Sequence, residues 1–218
     1  MVCLQQAKGV SAMRVAILGS GNFGKALSAA VVRAGHRAVL SAQHPEHAAE
    51  AARETGAVAA ASNRAAVDGT DIVILAVPYT AIGDIAREIG RELVGHTVID
   101  ATNRFDPQTL DGTSNAEQIQ AALPGAHVVK ALNTVMAARL GAPTIDGVSL
   151  DGYLAGDDDA AKTRVADLLR SLGLHPIDTG ALVLARALEA VGLLGIHLNI
   201  KNGWTWQTGW KLLGSVKA

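Results

Sequence analysis

At 218 residues the chain can bury a substantial core, and one α/β lobe with a small appended unit is the simplest arrangement. Nineteen Lys and Arg stand against twenty Asp and Glu with no basic stripe, which argues against nucleic-acid binding; 49% hydrophobic and 18% charged residues argue against disorder. The single cysteine, Cys3, rules out an internal disulfide and fits a reducing, cytoplasmic setting.

Residues 1–12 lack the apolar core of a signal peptide and read as a disordered extension ahead of Met13. Arg14 to Leu18 is a short apolar strand that turns through Gly19-Ser20-Gly21-Asn22-Phe23-Gly24 into a helix. The helix repeats apolar residues at Phe23, Ala26, Leu27, Ala30, Val31 and Ala34. Gly35 ends it, Ala38 to Ser41 forms a second strand, and another helix begins near Glu46. The run Ile72 to Val77 is apolar throughout, as a parallel strand covered on both faces must be, and Pro78 closes it. Helical spacing from Ile82 to Leu93 precedes a strand from Thr97 to Ala101.

Ser114 and Glu117 have the spacing of a capping box, and a strand from His127 to Leu132 follows that helix. Ser149 to Ala155 reads as a strand, Asp157 as the cap of a helix buried along Ala161, Val165, Leu168, Leu169 and Leu172, and Leu174 to Asp178 as a last strand. From Ala181 a helix is apolar on nearly every side, so it needs cover from several directions. Arg186, Glu189, His197 and Asn199 interrupt it, so no membrane span is expected, and Arg186 and Glu189 have ion-pair spacing.

This alternation predicts an α/β fold with a doubly wound, mostly parallel sheet and a small C-terminal helical and strand unit. A dinucleotide-binding domain over 13–140 and a C-terminal unit over 141–218 are expected. Ligands in such folds bind beyond the carboxyl ends of the strands.

A pyrophosphate requires backbone N–H groups, a helix N-terminus and no obstructing side chain. Gly19, Gly21 and Gly24 meet those conditions between strand and helix, with Ser20, Asn22 and Phe23 adding amides and polar groups. Asn22 serves equally well as an N-cap. At the end of the second strand a carboxylate would select NAD and a basic residue NADP. The sequence there is Ser41-Ala42-Gln43-His44, without an acid, and Ser41, Gln43 and His44 are potential partners of a 2′-phosphate. Ala76, Val77, Pro78 and Tyr79 after the third strand, and Thr102 and Asn103 after the next, are placed to meet the nicotinamide half. No histidine and cysteine cluster suggests a metal, and no hydrolytic triad emerges.

Four segments together resemble the NADPH-dependent reductases of coenzyme F420, a group that includes the cytosolic domain of six-transmembrane metalloreductases. They are RVAILGSGNFGKAL, DATN at Asp100 to Asn103, VVKALNT at Val128 to Thr134, and AGDDD followed by DTGALVLARALE. The resemblance implies a Rossmann domain and hydride transfer between NADP and a deazaflavin stacked on the nicotinamide. Asn133 and Val135 would line the meeting point. It further implies a homodimer, with the C-terminal unit completing the acceptor site and the dimer interface. Related chains often read Gly-Ser-Arg at the second strand end; this one reads Ser41-Ala42-Gln43, which leaves NAD open.

Hydride transfer between two bound cofactors needs positioning and exclusion of water, so no general acid is assigned. Lys130 is the alternative proton donor, or else pairs with a carboxylate. Trp204, Trp206 and Trp210 either flank a flavin-like ring or pack in the core or a dimer contact. Reduction of a flavin, a metal chelate or a small imine or carbonyl is a second enzymatic reading. A non-catalytic NAD(P)-binding redox sensor is a third.

Overall fold

The computed structural model describes residues 11–103, 105 and 112–214. The expected extension lies, through residue 10, outside the described residues. Six parallel strands form the main sheet: β1 (Arg14–Leu18), β2 (Arg37–Ser41), β3 (Val58–Ala59), β4 (Ile72–Leu75), β5 (Thr97–Asp100) and β6 (His127–Ala131). Two more, β9 (Asp151–Gly156) and β10 (His175–Asp178), run parallel to each other and antiparallel to β6. The full order is β10-β9-β6-β5-β4-β1-β2-β3, a doubly wound, mostly parallel sheet of Rossmann type with its switch point between β1 and β4. Between β6 and β9, β7 (Thr144–Ile145) and β8 (Val148–Ser149) make a separate hairpin.

Helices α1 (Asn22–Arg33), α2 (Pro45–Thr55), α3 (Asn63–Val67), α4 (Ile82–Ile89), α5 (Asn115–Ala122), α6 (Asp159–Ser171) and α7 (Ala185–Asn202) connect the strands. Strand alternation sends side chains to both faces, and both are buried. Val15, Ile17, Ile72 and Ile74 join the core under α1 and α6, whereas Ala16, Leu18, Val73 and Leu75 join that under α4 and α5. The long apolar runs reflect this double burial.

Local signals account for the helix ends. Ser114 accepts from the Glu117 amide while the Glu117 carboxylate accepts from the Ser114 amide, completing the capping box. At α6 the cap is Asp158 rather than the expected Asp157, whose Oδ1 instead accepts the Leu182 amide at 2.8 Å. Strand β4 stops at Leu75, short of the expected Val77, because the chain leaves the sheet to pass the glycine turn. The short β3, α3 and β7–β8 hairpin had no sequence expectation; too few residues repeat to show a period.

The segment Leu182–Asn202 reaches the length and composition of a spanning helix, with mean hydropathy 1.5, despite its polar interruptions. It packs on β9 and α5, and buries Leu188, Glu189, Gly192, Leu193 and Asn199. A Leu182–Leu184 turn precedes it, so the helix starts four residues after Ala181.

Candidate active site

The glycine turn is a three-way backbone contact. Gly19 has φ 115°, donates to the Ser41 carbonyl at 2.9 Å, and lies so near β4 that a Cβ would sit 2.3 Å from the Ala76 oxygen. A Cβ on Gly24 would sit 1.9 Å from the Gly19 oxygen. Any larger residue at either position must push β1, β4 and α1 apart. Around Gly21, in contrast, a Cβ would meet nothing within 4 Å. Gly21 is itself the N-cap of α1 and no side chain caps the helix, so Asn22 is the first helical residue and not the cap. The first-turn amides and the positive helix end therefore lie beside open space, the arrangement an anionic phosphate requires. Ser20 and Phe23 are half-buried beside it.

At the end of β2, Ser41 is fully buried and its hydroxyl donates to Asn63 Oδ1 at 2.8 Å. Gln43 and His44 are exposed. The His44 ring stands edge-on to His47 at 5.4 Å, with Glu46 3.6 Å from its Nδ1. The groups turned outward here are thus Gln43, the two histidines and Glu46.

A cleft of about 800 Å³ opens beyond the carboxyl ends of β4, β5 and β6. It brings together Phe23, Ala76, Val77, Pro78, Asn103, Asn133 and Val135, all singled out in the sequence. The remaining expected residues, Gly19 to Asn22, Gly24, Ser41, Gln43 and His44, lie outside it, along the glycine turn and the β2 end. Tyr79, expected with Ala76 to Pro78 after the third strand, lines the cleft too, whereas Phe105, Met136 and Ile196 in the lining carried no sequence signal for a site. Four of the chain's seven aromatic residues, Phe23, Tyr79, Phe105 and Trp206, line this one cleft.

Asn103 and Asn133 form a reciprocal pair: Asn103 Nδ2 donates to the Asn133 carbonyl at 2.8 Å, and Asn133 Nδ2 to Asn103 Oδ1 at 3.1 Å. Asn133 Nδ2 also reaches the Leu188 carbonyl at 2.8 Å. Asn133 Oδ1 is buried with no hydrogen-bond partner, as is Thr134 Oγ1. Gly192 makes the approach of α7 possible, since a Cβ there would fall 2.5 Å from Asn103 Oδ1. A glycine within an apolar helix was the available signal for this contact.

Behind the asparagines, Lys130 is fully buried and donates to Asp100 Oδ2 at 2.9 Å and the Thr102 carbonyl at 2.6 Å, with Glu189 Oε1 at 3.1 Å. These three acceptors occupy the ammonium, so the alternative of Lys130 as a proton donor gives way to its pairing role. Glu189 therefore does not pair with Arg186, which forks onto Glu117 at 2.7 and 2.8 Å. Hydrogen bonding from Arg186, with help from Ser114 and against a burial penalty, holds the Glu117 carboxyl down at about 2. Lys130 and Arg186 thus tie α7 to β5, β6 and α5 beneath the cleft floor.

Trp204 and Trp206 are 46% and 43% exposed, so the packing role considered for the tryptophans does not hold for these two within the chain. Among the described residues there is no group of three or more His, Cys, Asp or Glu able to hold a metal.

Residues 14–104 match the family model described as NADP oxidoreductase coenzyme F420-dependent. The chain is 31% identical over 212 residues to the F420-dependent NADP reductase of Methanocaldococcus jannaschii, covering 87% of this chain and 93% of that one. It is also 31% identical over 186 residues to metalloreductase STEAP3 of Rattus norvegicus, covering 84% of this chain but only 37% of the relative; the chain spans about a third of that protein's length. A crystal structure from Arthrobacter sp. FB24, of a protein provisionally named an F420-dependent NADP reductase, superposes with TM-score 0.82 at 28% identity over 93% of this chain and all of the other.

Proposed function

Because this chain belongs to the coenzyme F420-dependent NADP oxidoreductase family, we propose that it transfers hydride between NADP(H) and a deazaflavin of the F420 type. The observation that carries this reading is the cleft: it adjoins the glycine turn at Phe23 and Ala76, and four aromatic side chains line it. A planar ring system suits such walls.

The dinucleotide fits the residues present. The α1 amides and the open side of Gly21 would hold the pyrophosphate, with Ser20 and Asn22 beside it. The backbone of Ala76, Val77 and Pro78 would face the nicotinamide, with Asn103 near it. Asn133 Oδ1, buried without a partner, is an acceptor for an amide N–H such as the carboxamide of that ring offers. Gln43 and His44 are the exposed groups that would meet a 2′-phosphate, while the Ser41 hydroxyl is spent inward on Asn63. When bound, the dinucleotide supplies the hydride and the deazaflavin receives it; the chain's residues orient the two rings and keep water out. No side chain needs to move a proton in this step. Leu194 and Ile200 are exposed on α7, apolar surface of the kind a second copy would cover in a homodimer.

Anaerobic stopped-flow mixing with NADPH tests the acceptor. Oxidised F420 is expected to discharge the nicotinamide absorbance; discharge by FMN but not by F420 would replace the deazaflavin with a flavin. Titration with NADP and NAD tests the second-strand assignment. NADP is expected to bind more tightly, with His44→Ala losing roughly tenfold in NADP affinity and little for NAD. Equal affinities in the unaltered chain would overturn it.

A further inference from the structure

Beyond α7 the chain turns at Gly203 and runs back across the molecule without regular structure, yet it is pinned along its length. Arg139 Nε donates to the Gln207 carbonyl at 2.6 Å, and Asn199 Nδ2 to Thr208 Oγ1 at 2.8 Å. Gly209 passes so close to Leu150 that a Cβ would sit 2.3 Å from a leucine methyl. At the far end the buried Asp151 carboxylate accepts from Lys211 Nζ at 2.7 Å and the Leu212 amide at 2.6 Å, and also contacts His175 Nδ1 at 2.9 Å.

Within this strap Trp206 has φ 62°, a left-handed backbone that bulky residues rarely adopt. Its indole is 43% exposed and lines the cleft. Trp204, two residues earlier, is equally exposed but outside the cleft lining, so exposure alone does not place a tryptophan there.

We infer that Trp206 is the stacking wall of the acceptor site, setting specificity for a planar ring, and that the Asp151 anchor holds the strap as a positioning device. A hydride acceptor offers one ring face to the nicotinamide and has a second face to be covered. An indole held at the cleft by pinned backbone covers it at little further ordering cost. This rests on the cleft being the acceptor site proposed above.

The test compares the unaltered chain with Trp206→Ala, Trp206→Phe and Trp204→Ala, using NADPH with oxidised F420 and, separately, FMN. NADPH affinity serves as the folding control. Trp206→Ala is expected to raise the KM for the reducible acceptor roughly tenfold while NADPH binding holds. Trp206→Phe should recover most of that loss, and Trp204→Ala should change neither constant. In parallel, acceptor titration should quench a component of the indole fluorescence that is absent from Trp206→Phe. Turnover with an unchanged acceptor KM in Trp206→Ala overturns the inference, as does identical quenching in the Trp206→Phe chain. If FMN reacts and F420 does not, the deazaflavin reading fails alone, and the same KM comparison with FMN decides Trp206. If neither ring quenches Trp206, the inference fails whether or not turnover is seen.

Discussion

The glycine turn and the cleft beside it are built by opposite means. The turn is backbone against backbone: Gly19, Gly24 and Ala76 meet because none of them carries a side chain that interferes. The cleft is side chain against side chain, with Phe23, Asn103, Asn133 and Trp206 arriving from β1–α1, β5, β6 and the strap after α7. Close backbone packing tolerates one residue type at a position. A side-chain wall tolerates exchange, which is how a fold can hold one cofactor and vary its partner.

Substitution at the turn should have the largest effect. Gly24→Val forces a methyl-bearing carbon onto the Gly19 carbonyl and is expected to weaken NADP binding at least roughly 100-fold, about 3 kcal/mol. Calorimetric titration beside a circular-dichroism melt measures it; binding like that of the unaltered chain would remove the turn from the cofactor site.

Beneath the cleft, Lys130→Met would remove the buried cation that Asp100 and Glu189 both meet and leave the Asp100 carboxylate buried without that ion pair. The expected loss is about 3–5 kcal/mol of unfolding free energy in urea. A loss below about 1 kcal/mol would mean that the Lys130 bridge does not hold α7 to the sheet energetically.

Acid should separate the two regions by a smaller margin. Glu117 falls from 4.5 to about 2 in the folded chain, so its contribution is complete above pH 4.5 and is lost as pH drops toward 2. Stability measured across that window should fall less steeply in Glu117→Gln than in the unaltered chain. Parallel acid limbs would show that the Arg186 fork does not tie α5 to α7 energetically.

The sequence carried the strands, the glycine turn and the capping box because each is local. Val15 to Leu18 needs only its own unbroken apolar run to show double burial, and Ser114 and Glu117 lie one helical turn apart. It misplaced the α6 cap by one residue, since Asp157 and Asp158 are chemically alike and only the approach of Leu182 tells them apart. The partners of Lys130, Arg186 and Glu189 were equally beyond it: the spacing of Arg186 and Glu189 suggested each other, and burial chose otherwise.

By itself, then, the sequence determined the order of the longer strands and helices and the glycine turn between β1 and α1, because period and glycine spacing are read along the chain. Only the tertiary structure decided that Ser41 turns inward, that Gly192 admits α7 to the asparagine pair, and that Trp206 stands in the cleft while Trp204 does not. Those outcomes depend on which distant surface arrives first within a few ångströms, and no short-range pattern encodes that.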